Sequence, residues 1–378
     1  MVNRRIAAIL AIVALVLAAC TGAGDASEEP AASEPAASEP AGSEPAASEP
    51  TAGGDCVVGV SWNNYQEERW ALRDEPAIQA ALDEAGAEYI SADAGSSEEQ
   101  QASDVENLLS QGANVIIILA QNTETILPAV QAAIDEGVPV IGYDRLIEDD
   151  EALYVSFDNV AVGRMQAEAV LEVVDEGNFV IIKGNGADAN SDFLRAGYTE
   201  AGVPDVGENS DTITIVGETY TDNWDPALAQ TEMEQFLTEN NNEVDAVLSE
   251  NDGMAGGVVA ALEAQGLAGQ IPVSGQDGDI AALNRVALGT QTVDVWKDAR
   301  ELGRAAGEAA AALCENPDIT ALEGTEPFES PGGNTLVSIN LEPIPITQDN
   351  LDVVLDADWI TEEELCQGVE AGTVEVCP

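Results

Sequence analysis

Histidine is absent from the 378-residue chain, and lysine and arginine together number 12 against 71 aspartates and glutamates, a formal net charge of -59. Without histidine there is no imidazole base, no serine–histidine or cysteine–histidine pair and no histidine-ligated metal. So few cations exclude nucleic acid as a partner, because phosphate backbones are held by clustered lysine and arginine. The acidic excess itself reads as a solubility or high-salt adaptation. No G-x-S-x-G or paired serine–lysine motif occurs, and carboxylates are too abundant for any one pair to single out a glycosidase. Asp349-Asn350-Leu351-Asp352 lacks the spacing of a calcium loop and reads as a solvated turn. An enzyme, a cofactor and a metal site are all therefore unexpected. After the first twenty residues no long uncharged apolar run appears either.

What is present begins with an export signal over residues 1–20. Arg4 and Arg5 precede an apolar stretch that starts at Ile6 and is too short to span a bilayer comfortably. It ends in Leu17-Ala18-Ala19-Cys20, which resembles the bacterial lipobox, so Cys20 is the expected lipidation site and the membrane is reached only through that anchor. Residues 21–55 repeat Ala-Ala-Ser-Glu-Pro with Ser33, Ser38, Ser43 and Ser48 in register. Proline at every fifth position forbids a helix and nothing apolar is left to bury, so a disordered tether is expected. Four cysteines remain beyond Cys20: Cys56, Cys314, Cys366 and Cys377. An even number in an exported chain suggests two disulfides with three possible connectivities, and the spacings fit no familiar zinc pattern.

From Cys56 onward, short apolar runs alternate with longer amphipathic ones. Strands are expected at 57–60, 115–119, 138–142, 179–182, 213–216, 246–249, 273–275 and 292–295, with helices between them such as 75–85, 100–110 and 126–135. Alternation of this kind implies parallel sheets covered on both faces, an α/β fold of about 320 residues that is large enough for two lobes. Ligands in such sheets sit outside the carboxyl ends of the strands. Those ends carry Asn63, Asn64, Arg69 and Trp70, then Asp144-Arg145, then Lys183, Asp188 and Asn190, then Asn251-Asp252, Gln276-Asp277 and Trp296-Lys297. Any one of the Asp or Asn residues reads well as a helix cap. Six strand ends decorated alike read better as one polar site, in which amides, carboxylates and cations pair with vicinal hydroxyls and indoles cover the apolar face of a ring. Gly184-Asn185-Gly186-Ala187-Asp188-Ala189 fits a dinucleotide fingerprint loosely, but its acidic partner would fall in the helix end and loop of 200–208.

The motifs Glu68-Arg69-Trp70, Gly142-Tyr143-Asp144-Arg145, Ser156-Phe157-Asp158-Asn159, Phe193-Leu194-Arg195-Ala196-Gly197, Asn240-Asn241-Asn242, Ser274-Gly275-Gln276-Asp277 and Gly289-Thr290-Gln291-Thr292 resemble those of the periplasmic D-xylose-binding proteins of ABC importers, from about Val57 to about Asp352. The resemblance implies a type I periplasmic-binding fold, two Rossmann-like lobes joined by a three-segment hinge. The first lobe would take 56–157 and 298–333, the second 158–297 and 334–378. It also implies that Arg69, Asp144, Arg145, Asp188, Asn190, Asn251, Asp277 and Lys297 bind hydroxyls while Trp70 and Trp224 stack on the ring. Ala189, Ser191 and Trp296 depart from the pattern of their neighbourhoods. In this fold Cys56 and Cys314 lie at one cleft-distal edge and are expected to pair, with Cys366–Cys377 as a local clip.

The implied function is that of an extracytoplasmic, lipid-anchored monomer that captures a monosaccharide, D-xylose first, and delivers it to a permease with its ATPase. Closure of the lobes on the sugar is the implied mechanism. The alternatives are a binding protein for another pentose or hexose, and a sensor that presents its sugar to a chemoreceptor or signalling partner.

Overall fold

A computed structural model of the protein describes residues 56–208 and 212–378. The expected export signal, Cys20 and the tether lie outside the described residues. The chain runs through β1 (Val57–Trp62), α1 (Glu75–Ala85), β2 (Glu88–Asp93), α2 (Glu98–Ser110), β3 (Val115–Ile118), α3 (Leu127–Asp135), β4 (Val140–Tyr143) and β5 (Leu153–Phe157). It continues with α4 (Asn159–Leu171), β6 (Gly177–Lys183), α5 (Ala189–Glu200), β7 (Ile213–Tyr220), α6 (Pro226–Glu239), β8 (Ala246–Ser249), α7 (Asp252–Gln265), β9 (Ser274–Gln276), α8 (Ile280–Leu288) and β10 (Val293–Trp296). It then returns through α9 (Ala299–Glu315), β11 (Glu326–Glu329), β12 (Thr335–Leu341) and β13 (Ile344–Ile346).

The first lobe holds a seven-stranded sheet in the order β11-β12-β5-β4-β3-β1-β2, parallel apart from the edge strand β11. The second repeats the scheme: β7-β6-β8 is joined through a parallel Val247–Val273 bridge to β9-β10-β13. In both, the strand order reverses beside the first strand of the lobe, and that reversal opens a crevice at the strands' carboxyl ends. Helices on both faces leave the central strands wholly enclosed; every residue of β3 is fully buried. Each such aliphatic side chain contributes about 1.5–3 kcal/mol by leaving water.

Small residues set how closely the helices pack. A Cβ on Gly163 of α4 would lie 2.1 Å from the Leu194 carbonyl oxygen, and one on Gly197 of α5 would lie 2.2 Å from that of Val160. The Phe193 to Gly197 motif therefore serves a backbone-to-backbone helix crossing. Its arginine, Arg195, is tied to Glu218 and Asp205 and not to the cleft.

The chain passes from the first sheet to the second between β5 and α4 and returns between β10 and α9. The third crossing is not where the sequence puts it. The sequence reading divides the chain at 333/334, yet β12 runs parallel beside β5, with Val337 opposite Leu153 and Leu341 opposite Phe157. Residues 334–341 thus belong with the first sheet, and the crossing lies between β12 and β13, which pairs with β10. Pro331-Gly332-Gly333 forms the turn of the β11–β12 hairpin. Glu148 fastens it, accepting from the Ser330 hydroxyl at 2.7 Å and the Gly332 N–H at 2.8 Å.

Cys56, just before β1, is bonded to Cys314 near the end of α9, their Cα atoms 5.8 Å apart, and Cys366 is bonded to Cys377. The first bond closes a loop of 258 residues. Replacing both Cys56 and Cys314 by serine is expected to lower unfolding free energy by about 2–4 kcal/mol. Urea denaturation checks this, and an unmoved midpoint would mean that the bond adds nothing to the folded state.

Candidate functional site

The cleft begins with a helical turn of unusual pitch. Residues Trp70–Asp74 form a π-helical turn in which the Glu75 N–H bonds the Trp70 carbonyl, five residues back. That pitch sets residues five apart side by side. Arg69 consequently grips Asp74 with two bonds, Nε to Oδ2 at 3.0 Å and Nη2 to Oδ1 at 2.7 Å, and the Tyr143 hydroxyl donates to the same carboxylate. Arg69, Asp74 and Tyr143 are all buried. The clamp leaves one guanidinium nitrogen, Nη1, aimed into the cleft.

There it meets two aspartates from different lobes. Nη1 lies 3.3 Å from Asp144 Oδ2, beyond β4, and 3.2 Å from Asp277 Oδ1, beyond β9. Lys297, at the second crossing, completes the figure, with Nζ 3.7 Å from Asp144 and 3.1 Å from Asp277. Four charges of alternating sign thus close a ring across the interlobe gap. Burial raises the Asp144 pKa, but Lys297, Arg69 and Arg145 outweigh it and hold that carboxyl below its ordinary range. Both aspartates sit in the left-handed region, Asp144 at φ 61° and Asp277 at φ 108°, and Trp224 at φ 56° shares it. Left-handed backbone is rare for residues with a side chain and persists where the surroundings over-determine it.

Asp188 joins the helix-cap reading to the binding reading. Its Oδ1 caps α5 by accepting the Asn190 N–H at 3.0 Å, while Oδ2 accepts from Arg145 Nε at 2.9 Å and from the Trp224 indole at 3.2 Å. Burial pushes its pKa up, partly offset by Arg145. Asn251 likewise caps α7 through the Met254 N–H, leaving its amide nitrogen for the cleft. Asn190 donates to Asp144 Oδ1 at 3.3 Å and is itself held by Asn159 at 3.0 Å.

Trp224 explains the glycine after β6. A Cβ on Gly184 would fall 2.2 Å from the indole, so this position must be bare for the ring to lie flat on the chain. The glycine-rich segment accommodates a tryptophan, which accounts for it without a dinucleotide. Trp70 faces the cleft from the other lobe, with the Arg69 guanidinium carbon 4.3 Å from its ring and Trp62 behind it, the centroids 6.4 Å apart.

Together these side chains line a narrow cavity between the lobes. Trp70, Asp144, Arg145, Asp188, Asn190, Trp224, Asn251, Asp277 and Lys297 form its wall. Arg69 is not among these wall residues but touches two of them, Asp144 and Asp277. Lys183 turns aside to pair with Asp192 at 2.7 Å under Tyr220, and Asn63 and Asn64 brace the loop after β1. Of the other two wall residues, Glu67 was not expected, and Gln276 was named at a strand end but not among the residues that the resemblance assigns to the ligand. Gln276 lies inside a quoted motif, and its buried Oε1 finds no partner among the described residues. The donors, acceptors and indoles that converge on this cavity are the chemistry that suits a neutral polyhydroxyl ligand.

The Asp277 turn has its own brace. The Gly278 N–H is shared by Asp252 Oδ2 and Asp294 Oδ1, both at 3.1 Å, and Asp252 is held in turn by Gln291 at 2.9 Å. The Gly-Thr-Gln-Thr motif therefore supports the wall without reaching it. Burial, with Asp277 nearby, pushes the carboxyls of both Asp252 and Asp294 up, so the pair holds a proton above the ordinary carboxylate range.

A polar crevice of this kind between two parallel-sheet lobes is the architecture of a binding protein. The chain matches the family model described as periplasmic binding protein domain over residues 58–318. It is 36% identical over 310 residues to the D-xylose-binding periplasmic protein of Escherichia coli (strain K12), covering 82% of this chain and 92% of that one. It is 32% identical over 278 residues to the multiple sugar-binding periplasmic receptor ChvE of Rhizobium radiobacter, covering 68% and 77%. A carbohydrate transporter solute-binding protein from Chloroflexus aurantiacus, solved in complex with D-glucose, superposes with a TM-score of 0.72 at 26% identity, over 82% of this chain and 98% of that one. The chain belongs to the type I periplasmic sugar-binding proteins, a family of binding proteins and not of enzymes.

Because burial raises the Asp252–Asp294 pair, the folded protein holds a proton that the unfolded chain releases near pH 3.8, and stability is expected to fall as pH rises from about 4 to about 8. Asp294→Asn should reduce that loss, raising the melting temperature at pH 8 while leaving it nearly unchanged at pH 4. Parallel profiles for the two proteins would show that the carboxyl is already ionised in the fold.

Proposed function

We propose that the protein is a lipid-anchored solute-binding protein that captures D-xylose between its lobes and delivers it to the permease and ATPase of an ABC transporter. The observation that carries this reading is the charge ring of Arg69, Asp144, Asp277 and Lys297, which spans the lobes between two indole faces. A sugar whose hydroxyls reach both aspartates has contacts in the closed form that it lacks in the open one, and closure follows from that difference. D-xylose is favoured because the protein from Escherichia coli (strain K12) and a second relative from Haemophilus influenzae both carry that sugar in their names and align over most of this chain. Anchoring through Cys20, the tether of 21–55 and a monomeric state complete the proposal.

A second reading, a site for another sugar, is favoured by the variety among similar solved proteins, which hold D-glucose or myo-inositol. Titration calorimetry with pentoses and hexoses separates the two, since an added CH₂OH must fit or clash. D-xylose is expected to bind most tightly and to raise the melting temperature at millimolar concentration. Trp224→Ala should weaken it at least tenfold, an indole face being worth about 1.5–3 kcal/mol of buried area, without changing the circular dichroism. Equal affinity in the variant would remove Trp224 from the site, and a hexose preferred over D-xylose would favour the second reading.

A further inference from the structure

One carboxylate on the cavity wall belongs to none of the sequence motifs. Glu67 precedes Glu68-Arg69-Trp70, and its side chain is only 11% exposed. Its Oε2 accepts the Trp70 indole N–H at 2.7 Å. Its Oε1 lies 3.9 Å from Arg145 Nη2, too far for a hydrogen bond. An ionised carboxylate offers about four acceptor positions, so Oε1 keeps its accepting capacity beside the cavity it lines. The opposite lobe uses the same device: Asp188 holds the Trp224 indole N–H with one oxygen that faces the cavity. Each stacking surface is therefore fixed by a carboxylate of its own lobe.

We propose that Glu67 is a further ligand-binding residue, which fixes the Trp70 indole through one oxygen and accepts a ligand hydroxyl through the other. This rests on the reading of the cleft as a monosaccharide site and deepens it in one respect, the charge of the ligand. With Glu67 included, the wall carries four carboxylates, Glu67, Asp144, Asp188 and Asp277, against the two cations Arg145 and Lys297. Arg69 is not among the wall residues and is neutralised by its own clamp on Asp74. Such a wall accepts neutral polyols that donate from several hydroxyls and rejects sugar acids, whose carboxylate would face a surplus of like charge. The partners of Glu67 fit this role. Burial raises its pKa, while Arg145 and the Trp70 N–H act to keep it ionised.

The test is a cycle between protein and ligand groups, run by titration calorimetry on the intact chain with D-xylose, its monodeoxy analogues and D-glucuronate. Glu67→Leu is expected to weaken D-xylose about tenfold or more, as for a lost hydrogen bond to a charged group. One monodeoxy analogue should bind the original protein correspondingly less tightly yet bind Glu67→Leu as well as D-xylose does. A merely structural role would weaken every sugar by the same factor and leave that difference in place. Glu67→Gln keeps an acceptor for Trp70 and should lose only a few-fold, so the result does not hang on one variant. D-glucuronate should bind the original protein at least a hundredfold less tightly than the neutral sugar. If D-xylose binds and Glu67→Leu leaves all affinities unchanged or scales them uniformly, this assignment is wrong while the sugar site stands. Should another neutral sugar be the one that binds, the cycle is run with its deoxy analogues and reads the same way. If no neutral sugar binds at all, the site reading and the Glu67 role fall together.

Discussion

The molecule is organised around the four-membered charge ring of Arg69, Asp144, Asp277 and Lys297. Burying four ions is unfavourable in itself, and only good geometry with further hydrogen bonds repays it. Here each ion is placed by a separate device. Asp74 and the π-helical turn fix Arg69, left-handed backbone aims Asp144 and Asp277, and the second crossing supplies Lys297. The ring spans both lobes, so drawing them apart takes Asp277 away from Arg69 and leaves charges without partners. Other contacts act in the same sense: Arg145 with Asp188, Asn190 with Asp144, Gln121 with Asn223 at 2.8 Å, and Phe193 against Phe328 with ring centroids 5.8 Å apart. These contacts hold the two lobes against each other in this structure.

Strain and support are distributed accordingly. Eight residues other than glycine adopt positive φ among the described residues, and three of them, Asp144, Trp224 and Asp277, are on the cavity wall. Conformations of this sort cost on the order of 1–3 kcal/mol each, and the rigid sheets behind them offset that cost. The Asp277 turn shows how: its neighbour Gly278 donates to Asp252 and Asp294, and its carbonyl accepts the Trp359 indole N–H at 2.6 Å. Trp359 in turn lies under Arg73 and Arg300, at 4.7 and 5.0 Å. A wall residue of the second lobe is thereby connected to side chains that flank the first.

Much of this was legible from the chain. The strand–helix alternation placed eight strands but not β2, β5 or β11 to β13, and the rule that ligands sit at strand ends picked out Asp144, Asp188, Asn251 and Asp277, which meet in one cavity. At Asp188 and Asn251 the cap reading does not compete with the binding reading, because a carboxylate or amide has a second atom to offer. Three things were hidden. Asp74 pairs with Arg69 through an i to i+5 turn that no helical or strand period announces. Glu67 stands among so many acidic residues that nothing marks it until the indole N–H is seen to end on it. The β11–β12 hairpin carries its Pro-Gly-Gly turn where a crossing between lobes would also want one, and only strand pairing tells them apart.

A crystal structure of the protein grown with D-xylose tests the central claim most directly. The account predicts one sugar ring between Trp70 and Trp224, with hydroxyl oxygens within about 3 Å of the Asp144 and Asp277 carboxylates. A sugar seated elsewhere, or one in this cleft whose hydroxyls avoid both aspartates, would contradict it.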